Sequence, residues 1–325
     1  MRARATASLV AVMLLAAGCG ADGEQPRTVT AGVTASVPRP LNVADPAAVP
    51  SAAPAPNCDP RASLRPPGAL PRAGAMPAGS RMAQIAERGR LVVGIDQNAY
   101  LFGFRDPASG ELVGFEIDFA REIARAIFGD PSKVQFRAIT TADRIPVLEN
   151  KQVDLVIRTM SMTCERWQKV SFSSEYIASR QRLLVRKADG IRDFSDMAGK
   201  KVCATKGSTS IVTIAEQPAG LIPVSTDSTL DCLVLLQQGQ VDAVSTIDIL
   251  LAGLAAQDPT TEVVGHPATD EPAGIGVPKE HEDLVRFVNG VLERMRSDGT
   301  WTRIYDRWLR ERLGSATPPV AVYRD

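Results

Sequence analysis

The sequence predicts an α/β protein of two similar units facing each other across a cleft, and three observations carry that prediction. From residue 91 onward, short apolar runs of strand length alternate with amphipathic runs of helical length. That alternation is the pattern of a largely parallel sheet flanked by helices. After Tyr176 it starts again, giving a second unit of the same kind. A last apolar run, residues 273–277, then returns the chain ahead of two terminal amphipathic helices. Two units with two crossings between them imply a cleft, the commonest place for a small ligand.

The first unit opens near Ser80. Residues 82–88 followed by Gly89 read as a short helix with its C-terminal cap. Residues 91–95 form a buried strand, and 96–106 a loop carrying Tyr100, Phe102 and Phe104. Gly110 turns the chain into a helix over 116–128, where Ile117, Ala120, Ile123, Ala124 and Ile127 recur at helical spacing. A strand at 134–139, a helix at 143–150 with Pro146 in its first turn, and a strand at 153–157 complete the unit. In the second unit, a strand at 182–186 precedes a turn at 197–201 and a strand at 202–204. Thr205 to Ser210 then open a helix at Ile211. Strand 222–224, helix 229–238, strand 241–245 and helix 249–256 follow. The terminal helices, 282–297 and 300–313, carry apolar stripes through Leu284, Phe287, Val291 and Met295, then Trp301, Ile304 and Trp308.

Charge and composition exclude some functions. The 325 residues carry 37 basic and 37 acidic side chains, with no basic stripe, so nothing supports a nucleic-acid surface. Two histidines and the lack of C-x-x-C spacing argue against a metal site. Arg2 and Arg4 precede an apolar run at 8–17 ending at Gly18-Cys19, too short to span a bilayer and fitting a signal peptide. The small residues before Cys19 resemble a bacterial lipoprotein signal, with Ala16 where Leu is usual; a plain secretory signal is the alternative. Residues 20–79 hold twelve of the 23 prolines and read as an extended, disordered tether interrupted by an anchoring point at Cys58. Export favours disulfides among Cys58, Cys164, Cys203 and Cys232. Of three possible pairings, Cys203–Cys232 lies within one unit and is preferred, leaving Cys58–Cys164.

One stretch points to ligand chemistry. After the strand at 153–157, alternation places Thr159, Ser161 and Thr163 on one side and Met160 and Met162 on the other, with Arg166 close behind. Hydroxyls and N–H groups ending at a guanidinium suit a carboxylate, which arginine matches bidentately. A strand end with a solvated arginine is the plainer alternative, and for Gly207-Ser208-Thr209-Ser210 a capped helix is.

Taken together, Leu91-Val92-Val93-Gly94, Gly114-Phe115-Glu116-Ile117-Asp118, Thr163-Cys164-Glu165-Arg166 with Phe172-Ser173, Lys206-Gly207-Ser208-Thr209-Ser210, Val241-Asp242-Ala243-Val244 and Asp298-Gly299-Thr300-Trp301 are similar in order and spacing to the extracellular solute-binding proteins of polar amino-acid ABC transporters, solute-binding family 3. The resemblance covers roughly residues 81–313. The cysteines, the proline-rich segment and Gln181-Arg182 most resemble actinobacterial glutamate/aspartate/asparagine-type binding lipoproteins. It implies the two-lobed periplasmic-binding-protein fold, with two α/β lobes joined by a two-strand hinge: lobe 1 at 80–184 plus 277–313, lobe 2 at 185–276, and a C-terminal tail at 314–325. It also implies a monomer without catalysis or cofactor, held by lipidated Cys19 on the outer face of the cytoplasmic membrane, that hands an amino acid to a permease.

By the same resemblance, Ser161 and Arg166 hold the ligand α-carboxylate with Thr163 beside them, and Ser208, Thr209 and Ser210 meet it from a helix start. Thr205 and Arg182 match positions reaching the ligand side chain in acidic-amino-acid binders, a solvated edge-strand residue being the alternative for Arg182. Tyr100 and Phe102 are candidates to wall the cleft, with lobe core the plainer alternative for loop aromatics. One departure stands out. The family places a carboxylate for the ligand ammonium where this chain has Ile247, followed by Asp248. An unpaired buried ammonium would cost about 3–5 kcal/mol. Asp248 turning inward, another acceptor, or a ligand without an ammonium would each resolve this. Two other functions fit the same fold: a receptor feeding a membrane sensor, and a dehydratase using Glu175 or Asp248 as its acid.

Overall fold

The computed structural model describes residues 37–50 and 56–325, built around two five-stranded sheets; the expected signal segment and Cys19 lie outside the described residues. In the lobe 1 sheet, Leu91–Ile95 lies between Val134–Ala138 and Leu155–Val156, parallel to both. Gly276–Pro278 then pairs antiparallel with Leu155–Val156 and with the edge strand Val170–Phe172. Leu91, Val93 and Ile95 are wholly buried, as expected of a parallel strand covered on both faces. The helix Phe115–Phe128 lays Ile117, Ala120, Ile123, Ala124 and Ile127 into the same core, and Glu282–Ser297 and Thr300–Trp308 bury their stripes there.

In lobe 2, Ile222–Thr226, Lys201–Thr205 and Ala243–Ile247 run parallel, and Gln181–Arg186 and Thr261–Val264 extend that sheet with antiparallel pairings. Because Gln181–Arg186 belongs to this sheet, the first crossing comes earlier than the expected boundary after residue 184. Two antiparallel segments make the hinge: Tyr176 N–H donates to Ala273 O at 2.9 Å, Glu271 N–H to Ser179 O at 2.8 Å, and Gln181 N–H to Thr269 O at 3.0 Å. Trp301 Nε1 donates to Tyr176 O at 2.7 Å, pinning the start of the hinge to lobe 1.

The described parts of the expected tether are anchored, which corrects its reading as disordered, and the C-terminal tail pairs with it. Ala44 bridges Ser225, Asp45 takes Lys201 and Arg39 at 2.8 Å each, and Val43 and Val49 pack on lobe 2 cores. On lobe 1, Ala62–Ser63 pairs with Val322–Tyr323 of the C-terminal tail. Buried Asn289 donates to Ser63 Oγ and Leu64 O. Proline-rich composition shows that a segment lacks a core of its own. It does not show whether that segment completes a neighbour's core, and Leu64, only 5% exposed, does so here.

Both preferred disulfides are present, Cys58–Cys164 and Cys203–Cys232, with Cα separations of 5.8 and 5.5 Å. In the chain-entropy model they contribute about 5 and about 4 kcal/mol respectively. Local structure also differs from expectation at two places. Residues 98–113 form a small three-stranded antiparallel sheet where a loop is predicted. The extended run ends at Thr163, whose Oγ1 accepts the Arg166 N–H at 3.1 Å and caps the helix Cys164–Lys169.

Candidate functional site

Residues 158–161 leave the carboxyl end of the Leu155–Val156 strand, the edge of an open α/β sheet at which ligands gather. Arg158 is fully engaged: it pairs with Asp96 at 2.6 Å and donates to Thr141 Oγ1 at 2.6 Å and Ile139 O at 2.9 Å. Thr159 follows with φ of +40°, a strained conformation for a β-branched residue. Its N–H donates to Glu116 Oε1 at 2.6 Å.

Two further arginines meet here. Arg144, from the helix Arg144–Glu149, donates to Thr141 O at 2.9 Å, Thr159 O at 3.2 Å and Gly207 O of lobe 2 at 3.4 Å. Arg166 donates to Ser161 O at 2.8 Å and to the same Gly207 O at 3.3 Å. Both are buried, and burial lowers the pKa of each; for Arg144, repulsion from Arg166 and Arg158 adds to it. Their hydrogen bonds go to neutral carbonyls, so each retains capacity for an anion.

Lobe 2 supplies the opposite wall. Ser208 Oγ caps the helix Thr209–Glu216 by accepting the Ile211 N–H at 3.1 Å. Thr209 Oγ1 donates to Glu271 Oε2 of the hinge at 2.8 Å and lies 3.4 Å from Ser161 Oγ across the cleft. The enclosed space is about 20 Å³, with an adjoining pocket of about 10 Å³ against Asp96 and Tyr100. That is room for about one water, so admitting an amino acid requires the lobes to part about the hinge.

Two glycines set how closely the lobes approach. A Cβ on Gly207, whose φ is +76°, would lie 3.0 Å from Ala142 Cα, and one on Gly253 would lie 2.8 Å from Tyr100 O. Gly253→Leu is therefore predicted to prop the lobes apart and weaken ligand binding about tenfold, which is 1.4 kcal/mol. A titration giving the wild-type affinity would contradict that role.

The structure gathers several expected residues and disperses others. Ser161, Thr205, Ser208, Thr209 and Ser210 line the cavity, and Tyr100 lines the adjoining pocket. Arg166 does not line the cavity as it stands, and donates to the carbonyls of Ser161, which does, and of Gly207. Thr163 caps the helix carrying Arg166 and does not line the cavity. Phe102 is wholly buried in the lobe 1 core, 5.9 Å from Phe115 between ring centroids, because the small sheet turns it inward. Arg182 donates to Gly265 O at 2.8 Å. Strand alternation gives the inward position to Gln181, which is wholly buried and bonds Ser210 O and Ser245 Oγ.

Ile247 ends its strand and lines the cavity. Asp248 opens the next helix with Oδ1 accepting from the N–H groups of Arg180 and Ile249, directed at the hinge backbone. Glu175, the other expected acid, is held by Arg61 at 3.1 Å outside the cleft.

Asp96, Thr141, Arg144 and Arg158 line these cavities without having been expected there, and Glu116 and Glu271 bond the lining residues Thr159 and Thr209. A usable signal was the polar residue following each parallel strand of lobe 1: Asp96 after Ile95, Thr140 and Thr141 after residue 139, and Arg158 after Ile157.

The family model of bacterial extracellular solute-binding proteins, family 3, matches residues 91–311. The ABC transporter glutamine-binding protein GlnH of Bacillus subtilis is 38% identical over 231 residues, covering 71% of this chain and 85% of that protein. The glutamate-binding protein GluB of Corynebacterium glutamicum is 31% identical over 240 residues, covering 70% and 80%. Among solved structures, an ancestral arginine-binding protein bound to arginine aligns with a TM-score of 0.63 at 36% identity, covering 68% of this chain and 99% of that one.

Proposed function

The chain belongs to the bacterial extracellular solute-binding proteins, family 3, and from that premise we propose that it captures a polar amino acid bearing a second acidic or amide group, of the glutamate, aspartate or asparagine kind. The observation that carries this reading is the pair of buried guanidiniums, Arg144 and Arg166, whose hydrogen bonds go only to carbonyl oxygens. One anionic group satisfies one of them, and a ligand with two satisfies both. The α-carboxylate is assigned to Arg166 and Ser161, with Ser208, Thr209 and Ser210 closing on it from a helix N-terminus, where unpaired N–H groups favour an anion. The ligand side chain is assigned to Arg144, Thr205 and the Tyr100 side of the cleft.

The relatives named above are described as binding glutamine, glutamate and arginine, so family membership alone leaves the side chain open. The arginines favour an acidic one. For the ammonium we assign Glu271, the buried carboxylate that reaches the cleft through Thr209. Asp248 would have to abandon two backbone N–H groups to serve. Closure of the lobes then produces the form handed to an ABC permease. Lipidation of Cys19 would hold the protein at the membrane surface.

A thermal-shift screen of the twenty amino acids and their des-amino analogues tests this reading. Glutamate, aspartate or asparagine should raise Tm, and arginine and lysine should not; stabilisation by cationic ligands alone would overturn it. Glu271→Gln should weaken an amino acid about tenfold while sparing the matching dicarboxylate. Equal losses would assign the ammonium elsewhere.

A further inference from the structure

Behind the arginine-bearing floor of the cleft lies a carboxylate that no ligand contact uses. Glu116, in the first turn of the helix Phe115–Phe128, is 1% exposed. Its Oε1 accepts the Thr159 N–H at 2.6 Å and the Tyr176 hydroxyl, and that hydroxyl lies 3.2 Å from the same N–H. Thr159 in turn accepts Arg144 Nη1 on its carbonyl at 3.2 Å. Tyr176 begins the hinge through its N–H to Ala273 O. One buried acid thus holds a strained backbone at φ +40°, the carbonyl that positions Arg144, and the first residue of the hinge.

We propose that Glu116 is a positioning residue that sets the arginine-bearing floor for ligand and couples amino-acid affinity to its own protonation. The inference rests on the amino-acid reading above.

Near-complete burial is the largest influence on Glu116 and raises its pKa to about 7, against the lowering by its hydrogen bonds to Tyr176 and Thr159. Of the charged groups facing it, Asp96 raises the value and Arg158 lowers it, and Arg144 interacts with it as well. The sign follows directly. The folded chain holds a proton that the unfolded chain releases from pH 4.5 upward, so the stability Glu116 contributes falls as pH rises towards 7. A ligand carboxylate brought to Arg144 adds negative charge nearby and favours the protonated form. Binding therefore takes up a proton near pH 7, and affinity falls as pH rises through that region. The ligand's own groups do not titrate there. Neither His266, exposed and bonded to Asp193, nor His281, at the start of the helix Glu282–Ser297, touches the floor.

The test is calorimetry with L-glutamate and L-aspartate on the full chain between pH 5.5 and 8.5, in buffers of different ionisation enthalpy. For the wild-type protein, affinity should fall about tenfold across that range with fractional proton uptake at pH 7. Glu116→Gln keeps an acceptor for Thr159 and should bind with an affinity that no longer varies with pH and with no proton uptake. Glu116→Ala, folded by circular dichroism, should bind about tenfold more weakly than Glu116→Gln throughout. A flat wild-type profile overturns the proposal, as does a Glu116→Gln profile with the wild-type slope. No binding at any pH would instead overturn the amino-acid reading on which it rests.

Discussion

Arg166→Ala is expected to weaken amino-acid binding about a thousandfold, the largest effect of any single substitution considered. Arg166 is buried, fixed through Ser161 O, and aimed at the lobe boundary through Gly207 O. Under the proposed assignment, removing it would leave the ligand carboxylate without its arginine partner, and truncating one side of a buried charged pair costs about 2–5 kcal/mol. At 1.4 kcal/mol per decade, about 4 kcal/mol is three decades. The fold should survive, because among the described residues Arg166 has no carboxylate within salt-bridge distance and donates to carbonyls. Removing a buried cation that lacks such a partner also lifts a desolvation cost. A folded variant that still binds within threefold of wild type would remove Arg166 from the site.

Arg144→Ala carries the second largest effect and bears on ligand class. It should weaken glutamate and aspartate about a hundredfold while costing glutamine and asparagine less than tenfold, because only the acidic side chains lose a charge-assisted bond. Arg144 is also crowded by Arg166 and Arg158, which lower its pKa along with burial. The ligand-free variant should therefore melt no lower than wild type. Parallel titrations with each acid and its amide, together with a melting curve, check both statements. Equal losses for acid and amide would mean that Arg144 shapes the floor without meeting the ligand side chain.

Much of the scaffold was legible because it depends on local regularities. The stripe through Ile117, Ala120, Ile123, Ala124 and Ile127 and the uninterrupted apolar strand Leu91–Ile95 each specify their own burial. The juxtaposition of Ser161 and Arg166, proposed above as the carboxylate jaw, was legible because the two lie within one short stretch and Arg166 donates to the Ser161 carbonyl. What escaped depends on contacts between distant segments. Arg144 bonds Gly207 O of the other lobe and Glu271 bonds Thr209, contacts between segments far apart in sequence. Glu116 looks like an ordinary first-turn acid on a helix, and only Thr159 and Tyr176 show otherwise.

The misplacements have local causes. Strand alternation buries Gln181 and sends Arg182 to Gly265 O, away from the cavity, and Phe102 follows the small sheet into the core. The anchoring of residues 39–50 and 56–72 is invisible to composition because their partners, such as Lys201, Asn289 and Val322–Tyr323, are supplied by the rest of the fold.

In the proposed function, the cleft closes on an amino acid through two arginines and an ammonium acceptor. Calorimetric titration of the wild-type protein with L-glutamate, L-aspartate, L-glutamine and the des-amino acids glutarate and succinate addresses it most directly. The acidic amino acids should bind tightest, and their des-amino counterparts should bind at least about tenfold more weakly. Tighter binding of the des-amino acids than of every amino acid, or no binding in the whole set, would contradict the proposed function.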